Sequence, residues 1–389
     1  MIETRFKDTE IGKIPEEWEV KQIKGFADVH SGKGVIRISK GCNGFPVIGG
    51  NGKIGNYSDA FNTRDSIAIG RVGALCGNVH RIKEKSWITD NALILEAIGS
   101  YKVDLDFLYF LLKTKNLNSL CVGNAQPLIT GGTVLSLQMP LPPLPEQRRI
   151  ADALSKVDSL IASLDKLIAK KQAIKRGAMQ ELLTGKKRLP GFQGEWKKDK
   201  IESFGEINGG GTPNTNIKAF WTGQFPWISS SDINEDDISN ISVSRFITKK
   251  AIANSSTILC PSNTIHLVSR VGLGKVAYTQ ERVCTSQDFC NLTINKENDI
   301  IFLSYLLLTK MKSVAKEGQG TTIKGISIEQ IKNFVLNVPP LPEQRAIAHV
   351  LSSMDAEIAA LERKRDKFRQ VKQGMMQDLL TGRIRLTDN

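Results

Sequence analysis

The sequence predicts an α+β protein. Two mixed α/β domains are held apart by two long antiparallel coiled-coil helices, and a pseudo-two-fold axis relates the halves. Three observations predict it. The block beginning Pro142-Pro143-Leu144-Pro145-Glu146-Gln147-Arg148 returns as Pro339-Pro340-Leu341-Pro342-Glu343-Gln344-Arg345, at an offset of 197 residues in a chain of 389. Within each block, apolar residues recur in threes and fours, the pattern of a helix that packs on another helix. Between the blocks lie two long segments that barely resemble each other, in which Gly-rich turns separate short apolar runs. The expected boundaries are 1–141 for the first domain, 142–189 for the first helix, 190–338 for the second domain and 339–389 for the second helix.

The first variable segment opens on Glu17-Trp18, Ile23 and Phe26, which reappear as Glu195-Trp196, Ile201 and Phe204. Runs such as Ser66-Ile67-Ala68-Ile69 and Ala92-Leu93-Ile94-Leu95 read as strands, while Asp106 to Lys113 and Ile301 to Met311 read as helices. Topology beyond that is not readable. In the repeated helix, Pro145 and Pro342 stand where a first-turn proline is tolerated, each followed by a Glu at the positive end of the helix dipole. The expected pairing seam is Ile150, Leu154, Val157, Ile161 and Leu164 against Ile347, Leu351, Met354, Ile358 and Leu361. It weakens thereafter, shifting to Ile174, Ala178 and Leu182 and to Val371, Met375 and Leu379. Gly185 and Gly382 follow the last apolar pair, as a left-handed C-terminal cap requires. A closed two-fold pair of such helices is antiparallel.

Charge narrows the function classes. The formal net charge is +13, with 53 Lys and Arg against 40 Asp and Glu, and such a surplus favours a polyanionic partner. From Glu146 to Leu189 there are 11 basic against 5 acidic residues; Lys170, Lys171, Lys175 and Arg176 contribute to this, as Arg363, Lys364, Arg365, Lys367 and Arg369 do in the second copy. No apolar run approaches the ~18–20 residues of a membrane span, and the N-terminus has no apolar signal region. The expectation is a cytoplasmic protein without a membrane partner. The six cysteines include no Cys-x-x-Cys pair, and they are read as reduced, buried small hydrophobes; no metal site is expected.

Catalytic motifs fail on inspection. Gly50-Asn51-Gly52-Lys53-Ile54-Gly55 matches a dinucleotide fingerprint, but Asn56-Tyr57-Ser58-Asp59 is a poor helix start, so a tight turn is expected. The chain has no Gly-x4-Gly-Lys-Ser/Thr loop, no Gly-x-Ser-x-Gly elbow, no Pro-Asp pair of the restriction-nuclease kind and no methyltransferase-like Pro-Pro-Tyr/Phe loop. What remains suits DNA. Basic side chains and amides sit among glycine turns, and Arg can grip guanine while Asn or Gln grips adenine. The candidate contacts are Lys33, Lys53, Arg71 and Gln126 in the first segment and Arg270, Lys275, Gln319, Thr322 and Lys324 in the second. Arg71 and Arg270 stand out because each precedes Val-Gly in otherwise different surroundings.

The chain resembles the specificity subunits of type I restriction–modification enzymes. The resemblance rests on the two Pro-Pro-Leu-Pro-Glu-Gln entries to heptad helices ending Leu-Leu-Thr-Gly, on Ile14-Pro15-Glu16-Glu17-Trp18, and on Gly211-Thr212-Pro213 with Pro226-Trp227-Ile228. It covers essentially the whole chain. It implies two target recognition domains, each reading half of a bipartite, asymmetric double-stranded DNA site, on a helical spacer. It further implies docking of two methyltransferase subunits, which methylate adenine N6 with S-adenosylmethionine, and of motor–nuclease subunits using ATP and magnesium. The chain itself is then expected to hold no cofactor and to catalyse nothing. The alternatives are the target-recognition chain of a fused restriction–methyltransferase enzyme outside type I, an enzyme with an unrecognised site, and a coiled-coil scaffold whose charge is incidental.

Overall fold

The structure is a computed structural model that describes residues 5–34, 44–57, 60–99, 103–123, 125–318 and 325–387. The helices are α1 (Leu105–Thr114), α2 (Gly131–Leu135), α3 (Leu144–Leu182), α4 (Lys249–Ala253), α5 (Ile300–Gly318), α6 (Ile328–Lys332) and α7 (Leu341–Leu379). The chain divides into two compact units, Met1–Lys166 with Glu362–Asn389 and Leu167–Leu361. Each unit therefore takes one variable segment, the first part of the repeated helix that follows it, and the last part of the other repeated helix.

In the first unit an antiparallel sheet runs in the order Ala27–Ser31, Ala92–Ala97, Ser66–Gly70, Val79–Ile82. Side chains alternate between its faces. Ile67, Ile69, Leu93 and Leu95 join the main core with Trp18, Phe26, Phe107 and Leu111, while Ala68 and Ile94 form a second layer with Ile48 and Ile88. Both faces are thus covered, which is why Ser66-Ile67-Ala68-Ile69-Gly70 is buried at every position. A smaller sheet pairs Phe45–Gly49 with Gly52–Tyr57 and, in parallel, with Trp87–Ile88. The glycine sequence that imitates a dinucleotide fingerprint forms the turn of that hairpin, as expected, with Gly52 at φ +90°. Asp106 of α1 ties the helix to the sheet through Arg81 and Lys83, each at 2.7 Å. Burial opposes the charged form of this carboxyl, but its two basic partners outweigh it and hold the pKa below the ordinary value.

The second unit repeats the architecture on different residues. Its main sheet runs Gly205–Gly209, Phe289–Ile294, Thr264–Val268, Val276–Thr279, the same order and directions as in the first unit. Its companion sheet runs Arg245–Ile247, Phe225–Ile228, Val283–Thr285, Leu259–Cys260. His266, fully buried on the central strand, is satisfied by Asn291 at 2.8 Å and Thr279 at 3.0 Å. Burial drives its pKa down to about 4, against the opposing pull of the Asn291 hydrogen bond.

The repeated motif now has a physical explanation. Gln147 Nε2 donates to the Pro142 carbonyl (2.8 Å) while its Oε1 accepts from the Asp104 N–H (2.9 Å), and Asp104 caps α1 through the Phe107 N–H. Gln344 does the same with Pro339, Asp299 and the Phe302 N–H at the start of α5. Each Gln thus joins its long helix to the helix of its own domain. The neighbouring Glu is held by the tail of the other repeat. Arg385 grips Glu146 (Nε–Oε1 2.7 Å, Nη2–Oε2 2.8 Å) in the first unit, and Arg188 grips Glu343 (2.5 and 2.6 Å) in the second. Both carboxylates are buried, and each arginine lies over a Trp ring of its own unit, Trp18 or Trp196. Gly185 and Gly382 adopt the left-handed conformation, φ +70° and +73°.

Within each unit the two long helices are antiparallel. In the first, Asp158 pairs with Lys372 and Asp165 with Arg365, so seven residues forward along α3 is seven residues back along α7. In the second, Lys171 pairs with Glu357 and Lys175 with Asp355. Ile150 and Leu154 lie in the first core beside Leu379 and Leu380, and Ile347 and Leu351 in the second beside Leu182 and Leu183. Leu164 and Ile358 are buried, whereas Val157, Ile161, Met354 and Leu361 are half-buried. Part of the basic surface read from the sequence is consumed in this pairing. Lys175 is buried between Asp355 and the Tyr305 ring, and Lys372 lies between Asp158 and the Phe110 ring. Lys170, Arg176, Arg363, Lys364 and Lys367 stay exposed.

The reading of all cysteines as reduced is corrected in one respect. Cys76 and Cys121 form a disulfide, because the chain after α1 folds back against the loop that follows Ser66–Gly70. Cys260, Cys284 and Cys290 are free and buried as expected, and burial pushes their thiols up to about 11, 12 and 12. Cys42 lies outside the described residues.

Candidate nucleic-acid interface

In each unit the central strand of the main sheet runs out into a loop that carries an arginine. In the first, Gly70 pairs with Ala92, and the Arg71 N–H continues the ladder to the Asn91 carbonyl at 2.8 Å. The Arg71 carbonyl accepts from the Ile129 N–H, the Gly73 N–H reaches the Pro127 carbonyl, and the disulfide closes the same loop. The Arg71 backbone is thereby held through both its N–H and its carbonyl, while its half-exposed guanidinium approaches the Asp90 carbonyl at 3.5 Å. In the second unit, Val268 pairs with Phe289, the Ser269 N–H donates to the Asp288 carbonyl at 2.8 Å, and Arg270 follows, exposed.

The strand entering each main sheet passes the same place. The Gly32 and Lys33 N–H groups donate to Ala92 and Ile88, and the Gly210 and Gly211 N–H groups to Phe289 and Thr285. The glycines are needed there for close approach. A Cβ on Gly32 would lie 2.2 Å from the Thr89 carbonyl oxygen, and one on Gly210 would lie 2.0 Å from that of Ser286.

The other sequence candidates distribute unevenly. Lys33, Lys53 and Gln126 are exposed, Lys33 just past the strand that flanks Ala92–Ala97 on the side opposite Arg71, and Gln126 on the segment bridged to Val72. Lys275 is engaged elsewhere, its ammonium donating to the Ser230 and Ile233 carbonyls at 3.1 and 3.0 Å. Gln319, Thr322 and Lys324 lie outside the described residues. Sequence reasoning missed the tight turns that face the arginines. Thr89 to Ala92 and Ser286 to Phe289 each close with an N–H to carbonyl bond, and they expose Asp90-Asn91 and Gln287 respectively. Their signal was present only as polar residues just before the strand that pairs with the arginine's strand.

A pair of topologically matched domains, each offering an arginine loop on its own sheet and each built onto the same repeated helices, defines a two-headed recognition protein. The family model of the type I restriction–modification DNA specificity domain matches twice, over residues 15–176 and 193–368, and the chain belongs to that family as a specificity subunit with two recognition domains. The MjaVIII specificity subunit of a type I restriction enzyme from Methanocaldococcus jannaschii is 24% identical over 432 residues, covering 99% of this chain and 97% of that one. The MjaIX specificity subunit from the same organism is 36% identical over 165 residues, 41% of this chain and 38% of that one. Among solved structures, the S subunit of a type I restriction–modification system from M. genitalium shares the fold. Its TM-score is 0.68 at 17% identity, covering 93% of this chain and 96% of that one.

Proposed function

We propose that each recognition domain reads one half of a bipartite, asymmetric double-stranded DNA site through its arginine loop, Arg71 in one and Arg270 in the other. The observation that carries this reading is the recurrence of one loop frame, with an exposed or half-exposed arginine at its end, in two segments whose sequences otherwise differ. The paired helices act as the spacer that sets the gap between half-sites and as the platform for two methyltransferase subunits. Those subunits supply adenine N6 methylation with S-adenosylmethionine, and motor–nuclease subunits supply ATP- and magnesium-dependent cleavage. The chain contributes recognition and no catalysis, in the cytoplasm where the DNA is. The charge of +13 supplies sequence-independent attraction to phosphate, and the arginine loops supply discrimination.

The test is the methylated sequence found in cells that express the chain with its cognate methyltransferase. Arg71→Ala and Arg270→Ala each relax one half-site and leave the other intact, costing ~1–3 kcal/mol of discrimination where the contact is bidentate to guanine. Lys170→Ala instead weakens all sequences alike and lowers the salt slope by about one unit at most. Equal, sequence-independent losses from all three would refute the assignment of the arginines to base reading.

A further inference from the structure

The two arginine loops share a second feature. Extending the ladder of the first unit beyond Gly70 and Ala92 sets Arg71 opposite Asn91, an exposed carboxamide. Extending that of the second beyond Val268 and Phe289 gives Ser269 opposite Asp288, and the next position brings Arg270 to Gln287, again an exposed carboxamide. The turns themselves are equivalent, since the strands they lead into, Ala92–Ala97 and Phe289–Ile294, hold the same place in the two main sheets. Within that common frame the arginine stands one position later in the second unit and the carboxamide one position earlier. The two shifts compensate, so an arginine stays in register with an amide although neither residue occupies the same site. Solubility has no need of such matching.

The Gln287 amide is also oriented. Thr212 Oγ1, arriving on the strand-entry segment, donates to Gln287 Oε1. One lone pair of that oxygen is then occupied, which fixes the amide plane and leaves Nε2 as a donor beside the second lone pair as an acceptor. Adenine presents the complement in the major groove, N7 as acceptor and the N6 amino group as donor, next to whatever base the arginine grips. Asp288, which follows Gln287 in the turn, has its carboxylate within reach of the Ser286 hydroxyl at 3.3 Å.

We propose that Asn91 and Gln287 are specificity-determining residues, each reading an adenine beside the base contacted by Arg71 or Arg270, with Thr212 as the positioning residue for Gln287. The proposal rests on the reading of these loops as DNA-recognition elements and names a second reading residue in each.

The experiment uses the full chain co-expressed with its cognate methyltransferase, with the methylated sites read from genomic DNA. Asn91→Ala relaxes one base of one half-site, and Gln287→Ala relaxes one base of the other. Methylation of sites mismatched at that base rises roughly ten- to a hundredfold relative to the wild-type protein, while the gap and the remaining bases are unchanged. Thr212→Val loosens the same base as Gln287→Ala, to a smaller extent. Gln287→Glu, which keeps the side-chain shape, shifts the preference at that base from adenine toward cytosine, whose N4 amino group a carboxylate accepts. An unchanged recognition sequence in both alanine variants overturns the proposal. So does a uniform loss at every site from protein of wild-type melting temperature. A wild-type chain that directs no bipartite methylation at all overturns the underlying functional reading, and this inference with it.

Discussion

Replacing Arg188 by Ala should expose the energetics of the clasp that closes the second unit. Arg188 meets Glu343 through two parallel hydrogen bonds of 2.5 and 2.6 Å, donates a third to the Gly194 carbonyl at 2.9 Å, and lies over the Trp196 ring. The Glu343 side chain is 1% exposed, whereas that of Arg188 is 29% exposed. Truncation therefore strands a buried carboxylate, a change that costs ~3–5 kcal/mol where a buried pair is broken. The partial exposure of Arg188 lets water follow, so the low end, ~3 kcal/mol, is expected. Glu343→Ala removes the buried charge instead and leaves only a partly exposed guanidinium, which costs less. The double variant should accordingly be more stable than Arg188→Ala alone, with a coupling energy of ~2 kcal/mol. Urea denaturation followed by circular dichroism measures all three, and hydrogen exchange of the Leu182–Gly185 amides localises the change. Strictly additive costs, within ~0.5 kcal/mol, would refute the reasoning, because they would mean the two groups do not act on each other. Arg385→Ala should be milder than Arg188→Ala, since Glu146 retains the Trp18 Nε1–H bond at 3.1 Å.

Three further outcomes are expected. The His266 pKa lies near 4 in the folded state against 6.5 for the free side chain, so the unfolded chain binds the extra proton between those values. Stability is full above about pH 6.5 and falls as the pH drops toward 4, by about 3 kcal/mol in all, and His266→Gln should remove that part of the slope in melts across this range. Reducing Cys76–Cys121, which closes a 45-residue span, should cost ~4 kcal/mol on the chain-entropy account, and a melting temperature that dithiothreitol leaves unchanged would contradict it. A fragment from Met1 to Leu189 lacks the Leu379, Leu380 and Arg385 that complete the first unit, but carries Leu182, Leu183 and Arg188 in the matching places. It should dimerise, and with the methyltransferase it should direct methylation of a symmetric site made from the first half-site and its inverted repeat; a soluble monomer, or the intact asymmetric site, counts against this.

The sequence made the frame legible and the interior of the domains much less so. The heptad spacing, the first-turn prolines and the glycine caps are local signals, and α3 and α7 formed where those signals placed them. Sheet order was not legible, because a strand buried on both faces, such as Ser66–Gly70, shows an apolar run without naming its neighbours. Lys175 illustrates a different failure. In the sequence it belongs to a basic run, yet in the fold it is buried on Asp355, which also accepts from the Tyr305 hydroxyl at 2.5 Å. Burial, and then the hydrogen bond to Asp355, raise the pKa of that hydroxyl. Such an arrangement depends on residues 130 and more positions away. The arginines of the candidate site could be found because both precede Val-Gly. The amides opposite them could not, since their relation to the arginines is one of strand register, which exists only after the sheet has formed.

That contrast explains why the chain alternates between repeated and variable stretches. The closing pieces must fit receptors built from the chain itself. A Cβ on Gly382 would lie 2.4 Å from Pro15, and Gly185 lies against the Trp196 ring. Arg385 must find Glu146, and Arg188 must find Glu343. Each tail serves the head of the other copy, so a change in one copy must be matched in its receptor, and the two copies keep similar heads and tails together. The loops bearing Arg71 with Asn91 and Arg270 with Gln287 lie under no such constraint. Their backbones are fixed by ladder bonds, close-packed glycines and, in the first unit, a disulfide, while their side chains face outward and make few demands on the core. A fold organised in this way can change what it reads without changing how it closes. The repeated stretches have to match each other, while the outward side chains of the loops have to match only a ligand.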